Sequence, residues 1–593
     1  MSVKTKFQTV IMLIFGLMLV SCIDRPMKNA SPEPVVIPSF DIPISTDRDV
    51  DLLFVIDDSK SMDAEQQRIR EQFQSLMQVL KDISGGLPNI HVAVVSTDLG
   101  TAPVEIPGCD VFGGLMGSFR KGEHGNCINP TGNNYIVDVE PANCEMERDA
   151  DGMCVSHNCG PEHCSAEAFT VDGVAREPAG LILDTDQNGC PRCRNYQEEG
   201  LESVFSCMAD LGVSGCGMEQ HFMAMEKGLT SGSHHPPEDA GFLRDNAYLA
   251  VVFISDEDDC SAPENNRTIF SREDSLDSTV GPLGFRCVEF GVSCDEPWSR
   301  MLPEGTRDYH NCQSRPGTDS QNLLEPVSRF ESFLTALKGD KDRIILTAIG
   351  GPFDGQMTIR KNSDGLPEPQ KSCGDTGGIY DGAVPGVRLK ELTSRFNAVE
   401  DLKWAYTSVC STDYTASLMG LGLKIKDLVE VACITTPLNG CPDPAAANGY
   451  GALTDLPDEE RLICTPNCSV LLIEERGTPN ERVETVPGCA SDYMGGHPAR
   501  KDPNLPVEMC FHVTYNEKCA SGENFGPSRG AELVVSRRVE PPLRSYAFIR
   551  CQGLPLTEKL CMDGIDNDMD GLIDSQDPDC SSEETLPPVL TLR

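Results

Sequence analysis

Between Asp49 and Val409 the chain repeats one alternation: a short apolar run, then a stretch with the period of a helix. The runs are "DVDLLFVI" (49–56), "IHVAVVST" (90–97), "YLAVVFIS" ending at Ser255, "RIILTAIG" ending at Gly350 and "LKWAYTSV" ending near Val409. After the first, Ile69, Phe73, Leu76, Leu80 and Ile83 lie three or four apart, and Gly85-Gly86 stops the pattern. Further helical patterns cover 218–229, 327–337 and 389–396, and Leu418, Leu421, Ile425 and Leu428 share one face. Strands apolar along most of their length have no face to give to water. They predict a mostly parallel sheet covered by helices on both sides. The expected fold class is therefore α/β, a doubly wound domain spanning 48–432. Such sheets hold ligands at the carboxyl ends of their strands.

Two long segments interrupt the alternation, near 100–194 and 260–323. Eight cysteines fall in the first, among them the pair in Cys190-Pro191-Arg192-Cys193. Loops of this length are uncommon unless functional or stapled, and the cysteines predict stapling. The C-x-x-C is read as two structural half-cystines, because no strand-to-helix context for a redox pair precedes it. The chain has 27 cysteines, a number that an oxidising compartment favours. Without Cys22 the count is even, which permits full pairing. From 433 to 553 the helical periods vanish and short β-rich runs appear, such as "SVLLIEE" and "MCFHVTY". These predict a small cysteine-rich β domain. An acidic tail occupies 554–593.

The N-terminal region predicts export. Lys4 and Lys6 precede an apolar run from Val10 to Val20, which is shorter than the roughly 18 residues needed for a membrane span. It ends in Leu19-Val20-Ser21-Cys22, which resembles a bacterial lipobox. That resemblance implies a signal peptide at 1–21, cleavage before Cys22 and lipidation of Cys22. The proline-rich stretch 22–47 reads as a tether. The implied location is the cell envelope, anchored to a bacterial membrane, with the outer membrane and a periplasmic or surface-facing position expected. The net charge of −43 argues against nucleic acid as a partner and favours cations or basic groups.

The first apolar run ends in Asp57-Asp58-Ser59-Lys60-Ser61, and the third ends in Ser255-Asp256. A hard divalent cation prefers oxygen ligands. Two hydroxyls on one tight turn, joined by two acids from neighbouring strand ends, offer such a set. The D-x-S-x-S pattern followed by the later acid resembles the metal-ion-dependent adhesion site of von Willebrand factor A (VWA) and integrin-type domains. The resemblance implies Mg2+ or Ca2+ held by Asp57, Ser59, Ser61 and Asp256, and capture of a protein partner through a carboxylate. The family's usual threonine is missing. Glu219 stands nearest its place, either as a metal ligand or as a first-turn helix residue favoured by the dipole. Asp258 and Asp259, close behind Asp256, read as solvated loop acids; the alternative is that they shift the preferred ion from magnesium towards calcium.

A second candidate lies in the tail. Asp566, Asp568 and Asp570 take positions one, three and five of a calcium loop, Gly571 takes six, Asp574 nine and Asp577 twelve. The sequence resembles dockerin and thrombospondin type 3 repeats, which implies Ca2+ at 566–577. Asp577, in place of the usual glutamate, is the departure.

No G-x-S-x-G, H-E-x-x-H or phosphate-binding loop is present. The expectation is a membrane-anchored binding protein and not an enzyme. The alternatives are a hydrolase whose active site lies in the cysteine-rich insertions, and a passive envelope component that its metals merely stabilise.

Overall fold

The computed structural model describes residues 48–429 apart from short gaps, together with separate strands between 39 and 44 and between 462 and 552. Cys22 and the loop 566–577 lie outside the described residues.

The first run forms β1 (Asp49–Ile56), and the period after it forms α1 (Asp63–Lys81). Asp63 and Glu65 occupy the first turn of α1 and Lys81 the last, the arrangement the helix dipole favours. Then come β2 (Asn89–Ser96), β3 (Ile136–Val139), β4 (Ile182–Thr185), β5 (Pro191–Arg194), α2 (Gly200–Met208), α3 (His221–Leu229) and β6 (Tyr248–Ile254). The remainder is α4 (Leu283–Gly291), α5 (Val327–Lys338), β7 (Ile344–Gly350), α6 (Val387–Phe396), β8 (Tyr406–Ser408) and α7 (Thr415–Val429).

One eight-stranded sheet organises these elements, in the order β8-β7-β6-β1-β2-β3-β5-β4. The five strands from β8 to β2 run parallel, and β3, β5 and β4 extend the sheet antiparallel. Alternation along each strand splits the apolar residues between two cores. Val50, Leu52, Phe54 and Ile56 face α1, α2 and α7, while Leu53 and Val55 face α3, α5 and α6. Phe73 of α1 and Phe205 of α2 stack at 3.7 Å between ring centres, over Phe54. Burying each such aromatic contributes about 1.5–3 kcal/mol. Both sheet faces are dry, which is why the runs lack polar alternation.

In its secondary structure the chain departs from the sequence expectations in three places. The segment 100–194 is more than stapled loop, because it supplies β3, β4 and β5 to the central sheet. Disulfides Cys154–Cys190 and Cys164–Cys193 fasten it, so the C-x-x-C cysteines each pair elsewhere, as expected. Of "LKWAYTSV", only Tyr406–Ser408 is strand, because β7 offers it just Ala348–Gly350 to pair with. Leu402–Ala405 turns as a short helix instead, with the Trp404 indole N–H donating to Asp401. Within the expected tether, Ser39–Ile44 is a strand paired antiparallel with Tyr546–Gln552. It lies at the edge of its sheet, where Pro43 can stand without a backbone N–H.

The C-terminal runs form antiparallel strands. Cys468–Glu474 lies between Tyr546–Gln552 and Arg482–Val486, and Met509–Tyr515 pairs with Ala531–Arg537. Seven disulfides have both cysteines among the described residues. Three of them, Cys260–Cys287, Cys294–Cys312 and Cys373–Cys410, bind the loops that follow β6 and β7. Among the described residues no helix is long and apolar enough to cross a membrane.

Candidate metal centre

In register, Ile56 and Ile254 stand side by side as the last pair of β1 and β6. Asp57 and Ser255 therefore leave the sheet together at its carboxyl edge. The Asp57 N–H donates to the Ile254 carbonyl at 3.0 Å, and the Ser255 N–H to that of Ile349 at 3.1 Å, so the backbone pairing continues one residue beyond each strand.

Both carboxylate oxygens of Asp57 are engaged. Oδ1 accepts the Ser59 N–H at 2.8 Å and Oδ2 accepts the Ser255 hydroxyl at 2.6 Å. The first bond folds the chain into a tight turn and brings the hydroxyls of Ser59 and Ser61 within 3.2 Å of each other. Asp58 faces away from this pair and accepts the Ser96 hydroxyl at 2.7 Å. The turn is locked from below by Gln66, a buried α1 residue whose amide donates to the carbonyls of Asp57 and Gly212. The neighbouring loop packs so closely that a Cβ on Gly215 would lie 2.1 Å from Asp58 Oδ1, which only glycine avoids.

Asp256 arrives from the end of β6, 4% exposed. It interacts with Ser61, while Asp57 repels it. Its Oδ1 is buried and has no hydrogen-bond partner among the described residues. The hydroxyl of buried Thr97, just past β2 at the same edge, is in the same position. A buried oxygen of this kind costs stability unless something satisfies it.

Glu219 is 4% exposed and stands one residue before Gln220, the N-cap of α3. It is therefore outside the first turn, and helix-dipole preference does not explain it. Burial first, then repulsion by Asp57, Glu257 and Asp256, pushes its carboxyl well above the ordinary range. The same causes raise Asp256 and Glu257. Burial also raises Asp57, against hydrogen bonds from Ser255 and Ser59 that lower it. Four acids thus crowd one site, three of them buried and Glu257 half-buried, and each holds its proton more tightly because of desolvation and its neighbours.

Asp258 and Asp259 are not solvated loop acids. Asp258 accepts the N–H groups of Arg388 and Leu389 and so caps α6 from another loop. Asp259 is 1% exposed and pairs with Arg388 at 2.9 Å. Their carboxylates are committed to holding loops in place, and neither adds an open oxygen to the cluster.

The structure brings Asp57, Ser59, Ser61, Glu219 and Asp256 to one edge of the sheet. Among the described residues no three His, Cys, Asp or Glu side chains converge closely enough to hold a metal by themselves. A cation here would depend on the serine hydroxyls as well. The donor set fits a hard divalent ion: neutral hydroxyls, excess negative charge and an unsatisfied carboxylate oxygen. Gln66, Thr97 and Ser255 were not legible as site residues in the sequence. The periodicity does place Gln66 on the buried face of α1, where a polar side chain needs a reason. No family model matches the chain, and no curated protein matches it.

Proposed function

We propose that this chain is a cell-envelope binding protein built on a VWA-like, doubly wound domain, and that it is not an enzyme. Asp57, Ser59, Ser61 and Asp256 would hold Mg2+ or Ca2+, with Glu219 beside them. The strand order supports this reading, since β1 and β6 are central neighbours and end at the site. The observation that carries it is Asp256 Oδ1, buried without a partner next to a hydroxyl pair and surplus carboxylates. A bound divalent ion supplies a Lewis-acidic contact for a carboxylate on a protein partner. Asp57, oriented by Ser255 and Ser59, supplies charge. Ser59 and Ser61 are neutral, so they leave the ion's charge largely uncompensated.

We further propose that Cys22 carries a lipid anchor in a bacterial envelope, outer membrane by expectation, and that the 566–577 loop binds Ca2+. The test of function is affinity capture from envelope extract by the full chain, in magnesium or calcium and again in chelator. A partner released by chelator supports the reading. A partner retained equally in both overturns it.

A further inference from the structure

Asn266-Arg267-Thr268 is an N-x-T triplet, the acceptor pattern for an asparagine-linked glycan when it is exposed on an exported chain. We propose that the Asn266 side chain carries an oligosaccharide, transferred from a polyisoprenyl pyrophosphate carrier after export. The proposal rests on the export reading above and is independent of the cation.

Such a triplet also arises by chance, so its structural context decides. Ala262 and Ile269 are fully buried, and Cys260 is bonded to Cys287, so both ends of the loop are fixed. Between them Glu264, Asn265, Asn266 and Thr268 are exposed. The Asn266 N–H donates to the Pro263 carbonyl at 3.1 Å and closes a turn. Among the described residues nothing engages the Asn266 amide group or the Thr268 hydroxyl, so both acceptor groups face only solvent. Arg267 between them is occupied with the protein. Its guanidinium donates to the Gly100 carbonyl at 2.7 Å and lies over the Phe270 ring. The loop is thereby held out while its two reactive groups stay accessible. The Cys260 N–H donates to the Glu219 carbonyl at 2.8 Å, so the glycan stands at the rim of the carboxyl edge of the sheet.

The chain has two other such triplets, Asn29-Ala30-Ser31 and Asn467-Cys468-Ser469, and both asparagines lie outside the described residues. Asn266 alone has an acid two positions before it, Glu264, whose side chain is 62% exposed. A transferase with a basic acceptor groove gains a charge-assisted contact there. The Glu264 pair with Lys227 is exposed and exchanges readily. In the transfer, Asn266 Nδ2 attacks the anomeric carbon of the first sugar. The bond from that carbon to the pyrophosphate oxygen breaks, and polyisoprenyl pyrophosphate leaves with the electron pair. One amide proton passes to a base of the transferase, and the Thr268 hydroxyl is the group by which the enzyme grips the acceptor.

The test is glycopeptide mass spectrometry on the full chain, purified from the envelope of its native cells. We expect the peptide that contains Asn266 to carry the mass of an oligosaccharide and to release sugar oxonium ions on fragmentation. The added mass should be lost in Asn266→Gln and in Thr268→Ala, and kept in Thr268→Ser, which restores the hydroxyl. All three changes are on exposed side chains, so the variants should fold like the parent. A bare Asn266 peptide in the parent overturns the proposal, and so does a glycan that survives Asn266→Gln or Thr268→Ala. The same spectra report lipid on the Cys22 peptide. Lipid with a bare Asn266 overturns the glycan and leaves export standing, whereas the absence of both overturns the export reading as well.

Discussion

The Ser255 hydroxyl donates to Asp57 Oδ2 at 2.6 Å, linking two strand ends that lie 198 residues apart in sequence. The bond fixes which way the Asp57 carboxylate faces and partly offsets the cost of burying it. Ser255→Ala should lower stability by about 1–3 kcal/mol, the range for leaving a buried acceptor unmet. Urea denaturation of the metal-free protein measures this. An unchanged midpoint would mean that Asp57 finds another donor.

Arg192 is the sharpest stability prediction. It is 1% exposed, and its guanidinium donates to Asp138 Oδ1 at 2.6 Å and to the carbonyls of Leu87, Pro88 and Asp138. It joins the inserted strands to the parallel sheet. Arg192→Ala would leave these carbonyls unmet and strip buried Asp138 of one of its two arginines, at a cost of about 3–5 kcal/mol. A loss under about 1 kcal/mol in denaturant titration would show that the strand ladder and the disulfides hold the insertion without Arg192.

The crowded carboxyls set a pH dependence. Burial, then repulsion by neighbours, pushes Asp256 up to about 7 and Glu257 up to about 8. In the metal-free native state these groups keep protons that the unfolded chain has already lost. Native protons exceed unfolded ones, so their contribution to stability falls as pH rises from the ordinary carboxylate range through about 8. Buried His221, lowered to about 4, works in the opposite sense, but only up to its ordinary value of 6.5. Between pH 7 and 8.5 the metal-free melting temperature should therefore fall. Added magnesium should cancel the fall, because the deprotonated form is the one that binds metal. A melting temperature that rises over this interval without metal would contradict the reading of the site.

Glu219→Gln separates a ligand from a bystander. Removing one of the mutually repelling acids should raise the metal-free melting temperature at pH 8.5. It should also weaken divalent-ion affinity, measured by calorimetry, if Glu219 contributes to holding the ion. A gain in stability with unchanged affinity would show that Glu219 is a neighbour of the ion site and not a ligand.

The central strands were legible because both their faces are dry: "DVDLLFVI" coincides with β1, and β2, β6 and β7 fall within about one residue of their runs. The antiparallel extension was not. β5 reads Pro-Arg-Cys-Arg, and its buried Arg192 is explained only by Asp138, 54 residues earlier. The site divided the same way. D-x-S-x-S and the acid after β6 are local patterns at strand ends, so Asp57, Ser59, Ser61 and Asp256 could be named. Ser255 and Gln66 matter through contacts that only the folded sheet creates. Asp258 and Asp259 were misread because their partner, Arg388, arrives from α6, about 130 residues away.

The most direct measurement is the number of divalent ions bound per chain, by calorimetry on the parent and on the double variant Ser59→Ala, Ser61→Ala. The variant deletes two neutral oxygens and leaves Asp57, Asp256 and the strand-helix frame in place. The account predicts that it melts like the parent in chelator, binds one ion fewer in magnesium, and loses magnesium-dependent capture of its partner. If parent and variant bind the same number of ions with the same affinity, Ser59 and Ser61 are not ligands and the carboxyl edge of this sheet is not an adhesion site.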